Sequence, residues 1–435
     1  MNTWWTTNRT VGRRAVALVF ATSCVVIGAL ALQAQGVDLC GCATLPNLQP
    51  FDSTNPATFP PGTSDNGSAI TMALPSDGIL KFSSFKVQNR QVSFVRNAAN
   101  TPVTILVAGD VDIVSTVGCC FSVSVSGSSG SNGNSSFAGV GGLGGPGGFR
   151  GGDGASQGIN GAAIGGAGFG PAGGDAGTAS PFTNGGGGAF VGLPELIPLA
   201  GGSGGGGGSS TTASSTSCSG GGGGGGGGGL LIAGNGTFTI VNYQLFADGG
   251  SGAGSGNGSC SSAGGGGSAG AIRLVANRFV HAGNVDLLAR GLNNGGSSGR
   301  IRLESIDSSS QTAFSAQPPA LRIVGPTPLA NPINPTVAIT SVGGSAVPAV
   351  PQGTFGAIDV VLPAPGATPV SVATTGVPGG TTVSVTVKAR IGSVPVSQTV
   401  PLGNCSAAGA CSAVTTFNLA AGAYVVEARA TFQIQ

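Results

Sequence analysis

Few residues in this sequence could do acid–base chemistry. Asp110 and Asp112 are two positions apart, so on a strand they would share one face. Paired carboxylates serve glycosidases and Ca²⁺-dependent lyases, but turn chemistry and a solvated strand face explain these two as well. His281, the only histidine, lies between Val280 and Ala282. We expect a surface or packed side chain there, because a general base needs a nucleophile in reach and an orienting acid.

Nucleophile and ligand motifs occur only within glycine-rich sequence. Three segments match the pattern G-x-S-x-G, at 201–205, 266–270 and 295–299. A nucleophile elbow also needs a strand-to-helix turn and a histidine partner. Asp153 and Asp175 lie in glycine tracts without the regular period of calcium-binding nonapeptides. We therefore predict no catalytic residue, no cofactor site and no metal site, and a protein that is not an enzyme.

The cysteines indicate disulfide chemistry. Eight of the nine follow the N-terminal apolar run, and an even number in an exported chain favours disulfides over metal. They are Cys40, Cys42, Cys119, Cys120, Cys218, Cys260, Cys405 and Cys411. We predict a Cys405–Cys411 bridge because the loop between them is short, and Cys218 with Cys260 would join two glycine-rich segments. Zinc bound by the first four is the alternative, although their spacing lacks the usual two-to-four-residue gap.

The N-terminus has the features of a secretory signal. Arg9, Arg13 and Arg14 precede an apolar run from Ala15 to Leu32, and Ala34 supplies a small residue for cleavage. We predict a signal peptide over 1–34 and a secreted, cell-surface or periplasmic protein. An uncleaved membrane anchor is the alternative, because the run is just long enough to span a bilayer.

Charge argues against nucleic acid as a partner. The predicted signal holds three of the 17 basic residues and none of the 15 acidic ones, so the remaining chain is nearly neutral. Phosphate-binding surfaces need clustered Lys and Arg. Arg273, Arg300 and Arg302 alternate with apolar residues, so they should point outward, with Glu304 beside Arg302. They would form either a basic ladder for an acidic glycan or a solubilising stripe.

Short alternating strands predict an all-β fold. Residues 35–77 should be an irregular cap. Strands of four to six residues follow over 78–126 and return over 230–306, three to a repeat of about 20 residues. Such repeats bury their apolar faces only by stacking, as rungs do in a right-handed parallel β-helix.

Glycine dominates the interval 127–229, with an unbroken run from Gly220 to Gly229. Glycine loses the most backbone freedom on ordering and brings no side chain to bury, which favours a flexible insertion. Polyglycine II, in which extended threefold chains pack side by side, is the alternative.

The C-terminal third should be a separate module. Six prolines mark a linker over 307–335, with one last strand at Leu321–Val324. About seven alternating strands in 336–435 predict an immunoglobulin-like β-sandwich. The approach to Tyr424 is similar to a tyrosine corner, and a plain exposed tyrosine is the alternative.

Two segments carry a resemblance to a known group, Phe94–Val103 and Gly270–Leu274. They resemble exported glycine-rich bacterial β-helix proteins, loosely similar to filamentous-haemagglutinin-type surface proteins. The resemblance implies a secreted or surface scaffold and brings no catalytic residues with it.

We therefore expect an exported structural or adhesive surface protein, with surface glycans or other surface proteins as partners. The alternatives are a carbohydrate-active β-helix enzyme, in which Asp110 and Asp112 would converge with a distant acid or arginine in a groove, and a polyglycine-II surface or ice-binding protein.

Overall fold

The computed structural model describes residues 37–134, 137–155, 168, 170, 173, 187–190, 192–210, 219–254, 263–293, 295–311, 314–326, 329, 335–352, 358–389, 396–407 and 409–432. The predicted signal peptide and the Cys218–Cys260 pair lie outside these residues. Within them, no helix is long and apolar enough to cross a membrane.

The described chain contains 25 strands and two short 3₁₀ helices, Pro56–Thr58 and Ser308–Gln311. The first strands are β1 (Phe51–Asp52), β2 (Ser64–Asp65), β3 (Ala69–Ala73), β4 (Ile79–Phe82), β5 (Phe85–Gln88), β6 (Gln91–Val95), β7 (Val103–Val107), β8 (Val111–Val114) and β9 (Phe121–Ser124). Next come β10 (Gly229–Gly234), β11 (Thr237–Val241), β12 (Tyr243–Phe246), β13 (Ala271–Ala276), β14 (Arg278–Ala282), β15 (Asp286–Leu288), β16 (Arg300–Ser305), β17 (Ser315–Gln317) and β18 (Leu321–Val324). The last are β19 (Thr336–Val342), β20 (Ser345–Ala346), β21 (Gly366–Thr375), β22 (Thr382–Ala389), β23 (Val396–Pro401), β24 (Ala410–Leu419) and β25 (Tyr424–Ala430).

The first 18 strands form three sheets. Sheet 1 has the order β1-β5-β8-β11-β14, sheet 2 the order β18-β16-β13-β10-β7-β4, and sheet 3 the order β17-β15-β12-β9-β6-β3-β2. Every pairing but β2 with β3 is parallel. The chain visits sheets 2, 1 and 3 in turn, as in β4, β5, β6 and then β7, β8, β9. We call each such passage a rung.

Side chains of successive rungs stack in register inside the three sheets. Along sheet 1, Phe51, Phe85, Val111, Phe238 and Phe279 are aligned partners, and all are buried. The Phe51 and Phe85 rings stack with centroids 4.9 Å apart, a separation favourable for aromatic pairs. The alternation of the sequence therefore places one ladder of apolar residues in the core and leaves the other face of sheet 1 outside.

The middle strands of sheet 2, β7, β10 and β13, are buried on both faces, which explains their nearly continuous apolar sequences. All six residues of β10 and of β13 are buried. Leu39, Cys40 and Cys42 pack on the outer face of the sheet against Leu231 and Val275. A strand covered on both sides has no polar face to present, so its sequence loses the alternation seen in sheet 1.

The glycine-rich segments all leave the rungs at one corner, between sheet 3 and sheet 2. They follow β9, β12 and β15 and lead back into β10, β13 and β16. In the earlier rungs the same corner is a short turn, at 74–78 and at 96–102. The region 230–306, in which rungs were expected, holds the strands β10 to β16 and two of these glycine segments.

These segments converge on residues 219–229, and we call the described assembly the glycine bundle. Hydrogen bonds along the central segment repeat every three residues. The N–H groups of Gly222 and Gly225 donate to the carbonyl oxygens of Ser131 and Ser128, and the next N–H in each case donates to a second segment, at Gly152 and Phe149. Counting both donors and acceptors, the central segment bonds to six neighbours, which are 125–131, 139–145, 146–155, 202–208, 250–253 and 263–270. The described part of the tract is thus packed and hydrogen-bonded rather than free.

Only glycine fits the centre of this bundle. A Cβ atom placed on any residue from Gly220 to Gly228 would overlap backbone atoms of a neighbouring segment. The glycine run is therefore explained by close approach of backbones, and the cost of ordering it is offset by hydrogen bonds.

Two expected irregular regions contribute strands. In the region 35–77, expected to be an irregular cap, β3 pairs in parallel with β6 and places Ile70 and Met72 in the core. In the linker over 307–335, the expected strand at Leu321–Val324 is present as β18, and β17 extends sheet 3. The sequence did not predict β3 and β17, because each is short and is held in place by pairing with a neighbouring strand, β6 and β15 respectively.

The C-terminal residues form two antiparallel sheets. Sheet 4 has the order β20-β19-β21-β24 and sheet 5 the order β23-β22-β25. Val370, Val372 and Phe417 of sheet 4 pack with Val383 and Val385 of sheet 5 in one core. Between β20 and β21, the described residues 358–362 form no strand, and Leu362 makes only an isolated bridge to Gly422.

Tyr243 links two rungs that are not adjacent. Its buried hydroxyl group accepts a hydrogen bond from the Arg90 N–H at 3.0 Å and donates one to the Arg90 carbonyl oxygen. Burial raises the pKa of Tyr243 to about 12, although the hydrogen bond to the Arg90 backbone opposes the shift.

We predict that Gly224→Ala destabilises the bundle by about 1–3 kcal/mol or more, because the new methyl group overlaps the Gly250 carbonyl oxygen. Urea unfolding and hydrogen exchange over 219–229 measure the loss. Gly254→Ala is the matched control, since its Cβ would meet only Asn132 Oδ1, at 3.6 Å. Equal stability of the two variants would contradict the close packing.

The chain has two tyrosines, so one substitution isolates Tyr243. In Tyr424→Phe, absorbance titration should give a single pKa of about 12. Because the folded pKa is raised, Tyr243 stabilises the fold fully below its unfolded pKa of about 10 and loses that contribution as the pH rises toward 12. Titration near 10 in the folded protein would contradict its burial.

Candidate binding site

A cavity of about 410 Å³ lies where the rungs, the glycine bundle and the C-terminal sheets meet. Its walls are the turn 96–100, bundle residues 147–150, strands β19 and β25, and parts of 351–362. Cavities of 300–1,000 Å³ at domain interfaces are typical of small-molecule sites. This cavity is therefore the strongest candidate binding site in the described chain.

The apolar wall is the open side of the C-terminal core. β25 is an edge strand of sheet 5, and β19 is covered only by the two-residue β20. These two strands belong to different sheets, so the space between them is not closed by hydrogen bonds. Val337, Ile339 and Val426 line it and are only partly buried.

The opposite wall is held by two asparagines. Asn97 is buried, and its Nδ2 donates to Thr101 Oγ1 at 2.7 Å while its Oδ1 accepts the Thr101 N–H at 3.1 Å. Asn100 donates to the Gly148 carbonyl oxygen at 2.8 Å and accepts the Gly147 N–H at 3.2 Å. The turn is thereby fixed both to its own rung and to the glycine bundle.

Arg96, at the start of this turn, brings a positive charge to the cavity. Its Nη2 lies 3.5 Å from the carbonyl oxygens of Pro351 and Gln352, a distance at the limit of hydrogen bonding. No described carboxylate forms an ion pair with it. Burial lowers the pKa of Arg96, the charge of Asp359 raises it, and the charge of Arg150 lowers it further, with a net decrease.

Arg150, on the bundle side, is buried and paired. Its guanidinium forms an ion pair with Asp153, and Asp153 Oδ1 also accepts the Gly141 N–H at 2.8 Å. Asp153, whose glycine-rich sequence lacks the period of calcium-binding repeats, thus serves as a counter-charge within the bundle. Sequence analysis missed this cavity because its residues come from three distant segments. The only signal was the polar turn Arg96-Asn97-Ala98-Ala99-Asn100.

The candidate acid–base residues are not brought together. Asp110 Oδ1 accepts the Thr237 N–H at 2.7 Å at the corner between sheets 2 and 1. Asp112 lies on the outer face of sheet 1, in register with Lys86 and Thr239. Neither residue lines the cavity.

His281 and the serines of the G-x-S-x-G matches also lie apart. The His281 ring packs on Phe314 with centroids 5.4 Å apart. Ser203 and Ser268 are buried in the bundle, where the Ser203 N–H donates to Ser268 Oγ at 2.8 Å. These two serines connect neighbouring glycine segments, and their matches to G-x-S-x-G come from the glycine-rich sequence of the bundle.

Three pairs of cysteines lie at disulfide distance in the described chain. Cys405 and Cys411, the predicted pair, have Cα atoms 4.0 Å apart. Cys40 pairs with Cys42 and Cys119 with Cys120, with Cα separations of 5.1 and 3.1 Å. Asp38 Oδ1 lies near the Cys40–Cys42 pair but accepts the Cys42 N–H and an Asn235 Nδ2–H. The zinc alternative would need Cys40, Cys42, Cys119 and Cys120 at one metal ion. Instead, Cys40 pairs with Cys42 and Cys119 pairs with Cys120.

The arginine stripe on sheet 2 is not a solvent-exposed one. Arg273 is 5% and Glu304 1% exposed. Glu304 Oε1 accepts from Arg273 Nε at 2.6 Å and from Arg302 Nε at 2.7 Å. Of the three arginines Arg273, Arg300 and Arg302, only Arg300 is exposed, with its guanidinium 5.7 Å from the centre of the Phe190 ring. The expectation of a solubilising stripe or a basic ladder is therefore wrong for Arg273, because its charge is neutralised within sheet 2.

Comparison of the chain with protein-family models, curated proteins and solved structures gives no match.

We predict that Glu304→Gln lowers the free energy of unfolding by about 3 kcal/mol at pH 7, because two arginines lose their buried counter-charge. Burial raises the pKa of Glu304, but hydrogen bonds and charge from Arg302 and Arg273 lower it below its usual value overall. The carboxylate therefore stabilises the fold above its unfolded pKa, and this contribution is lost as the pH falls through the folded pKa.

Urea unfolding between pH 7 and pH 3 measures this effect. The wild-type protein should lose stability over that range more steeply than Glu304→Gln. The control is Glu195→Gln, at an exposed position with no ion pair among the described residues. Equal pH slopes for Glu304→Gln and the wild type would contradict the proposed role of the carboxylate.

Proposed function

We propose that this chain is an exported structural or adhesive surface protein without catalytic activity. In this proposal the three parallel sheets are a right-handed β-helix, the glycine bundle is a polyglycine-II element, and sheets 4 and 5 are an immunoglobulin-like sandwich. The repeated order of sheets 2, 1 and 3 supports the β-helix. The two-sheet core and the hydrogen bond from Tyr424 Oη to the Ala420 carbonyl oxygen, at 3.1 Å, support the sandwich.

The observation that carries the proposal is the glycine bundle. Its segments are joined by backbone hydrogen bonds on all sides of 219–229, and side chains are absent from its centre. Backbone atoms alone supply no acid, base or nucleophile. Their hydrogen bonds can nevertheless hold the segments together as a rigid element with few side-chain contacts. Its attachment at three successive corners suits a rigid scaffold.

The outer face of sheet 1 is where a long partner would lie. Lys86, Asp112, Thr239 and Val280 are aligned across four rungs on this face. Strands stacked in register repeat along the rung axis at about 4.8 Å. A flat ladder of mixed polar and apolar side chains suits an extended surface glycan or a surface protein.

Adhesion can be tested on the full chain, secreted with its own leader from a host with an oxidising export route. We expect added protease to cleave the protein on whole cells. Beads coated with the protein should be retained on at least one immobilised polysaccharide or cell-surface protein, and a polysaccharide that retains them should keep its original length. Thr239→Glu should weaken retention at least several-fold. Ser345→Glu, at an exposed position in β20, is the control and should leave it unchanged.

Three outcomes would count against the proposal. Shortening of the polysaccharide would favour the carbohydrate-active enzyme, and retention inside the cell would contradict export. Thermal hysteresis without adhesion would favour the polyglycine-II ice-binding alternative, whose surface would be the exposed serines and asparagines of segment 128–134.

A further inference from the structure

The cavity between the rungs and the C-terminal sheets joins two chemically different walls. On one side are the partly buried apolar side chains of β19 and β25, including Ile339 and Val426. On the other is Arg96, the one arginine of the turn 96–100. Other charged residues also line the cavity: the paired Arg150, the exposed Arg429, Asp359 and Glu427. A site with a large apolar surface and a partly buried cation such as Arg96 recognises a molecule that has both an apolar part and an anionic end.

No carboxylate among the described residues forms an ion pair with Arg96. Arg150 is paired with Asp153, whereas the described carboxylates leave Arg96 with none. Asp359 acts on it electrostatically, but Asp359 Oδ1 accepts the Gln352 N–H at 2.9 Å. A half-buried guanidinium is favourable only when its charge is compensated, and its planar array of donors matches a carboxylate through two parallel hydrogen bonds.

We propose that this cavity binds a small amphipathic carboxylate, whose carboxylate pairs with Arg96 and whose apolar chain lies between β19 and β25. A volume of about 410 Å³ accommodates a chain of several carbons but not a polymer. The tail would cover Val337, Ile339 and Val426, completing the core on its open side. The inference goes beyond the proposed surface role and does not depend on it, because binding is measured in solution.

Three probes separate the contributions of the two walls. Octanoate carries both the carboxylate and the tail, octanol carries the tail alone, and acetate carries the carboxylate alone. Isothermal titration calorimetry on the purified, oxidised chain should show one octanoate per chain. Octanol should bind at least tenfold more weakly, and acetate should not bind measurably.

Substitutions at Arg96 test the polar wall. Arg96→Gln should weaken octanoate at least tenfold and leave octanol unchanged. Arg96→Lys keeps the charge but loses the paired donors, so an intermediate loss of several-fold is expected. Arg278→Gln is the matched control, since Arg278 is exposed on β14 and does not line the cavity. Thermal unfolding of each variant checks that it is folded.

Two results would overturn the inference. Equal binding of octanol and octanoate, unchanged in Arg96→Gln, would show an apolar space without anion recognition. Absence of saturable octanoate binding to the folded wild-type protein at millimolar concentration would show that the cavity is not a ligand site. Neither result bears on adhesion, so failure here and failure of the proposed function are distinguishable.

Discussion

Close contact between backbones that carry no Cβ atom is the constraint on which the structure depends. Around residues 219–229, six segments approach so closely that an alanine methyl group at any position from Gly220 to Gly228 would overlap a carbonyl oxygen. At that separation the N–H and C=O groups of each residue in the central segment bond to a different neighbouring segment from those of the residue before it. This pattern of hydrogen bonds repeats every three residues. A buried backbone must satisfy these groups, and the bundle does so without forming a conventional sheet.

The rungs and the bundle determine each other's position. Each glycine segment starts at the end of a sheet 3 strand and returns to a sheet 2 strand, so strand register sets where the segments begin. In turn, bonds such as Gly228 N–H to the Val125 carbonyl oxygen connect the bundle to the strand ends. Stacked aromatic and aliphatic ladders stabilise the rungs, and backbone hydrogen bonds stabilise the bundle. The two kinds of stabilisation meet at a single corner.

Local sequence patterns predicted what depends on local sequence. The alternation in β8 and β11 identified strands with one buried face, and the short spacing of Cys405 and Cys411 identified a pair that can close. The sequence could not predict the partners of identical residues, because ten consecutive glycines carry no information on register. It also could not show that Glu304 neutralises Arg273, since these residues are 31 positions apart and meet only when β13 pairs with β16. Strands in the region expected to be a cap, such as β3, are stabilised by pairing with the sheet they join, so their own sequences did not predict them.

The candidate cavity has the same dependence on distant segments. Arg96 begins a turn that Asn97 ties to its own rung and Asn100 ties to Gly147 and Gly148 of the bundle. The apolar wall exists because β25 is an edge strand and β19 is covered only by the two-residue β20, in two sheets that do not pair with each other. Packing of the bundle thus positions the turn, and the turn positions the charge opposite an open apolar core. The hydrogen bonds of Asn100 therefore couple the geometry of the site to the close packing of glycine.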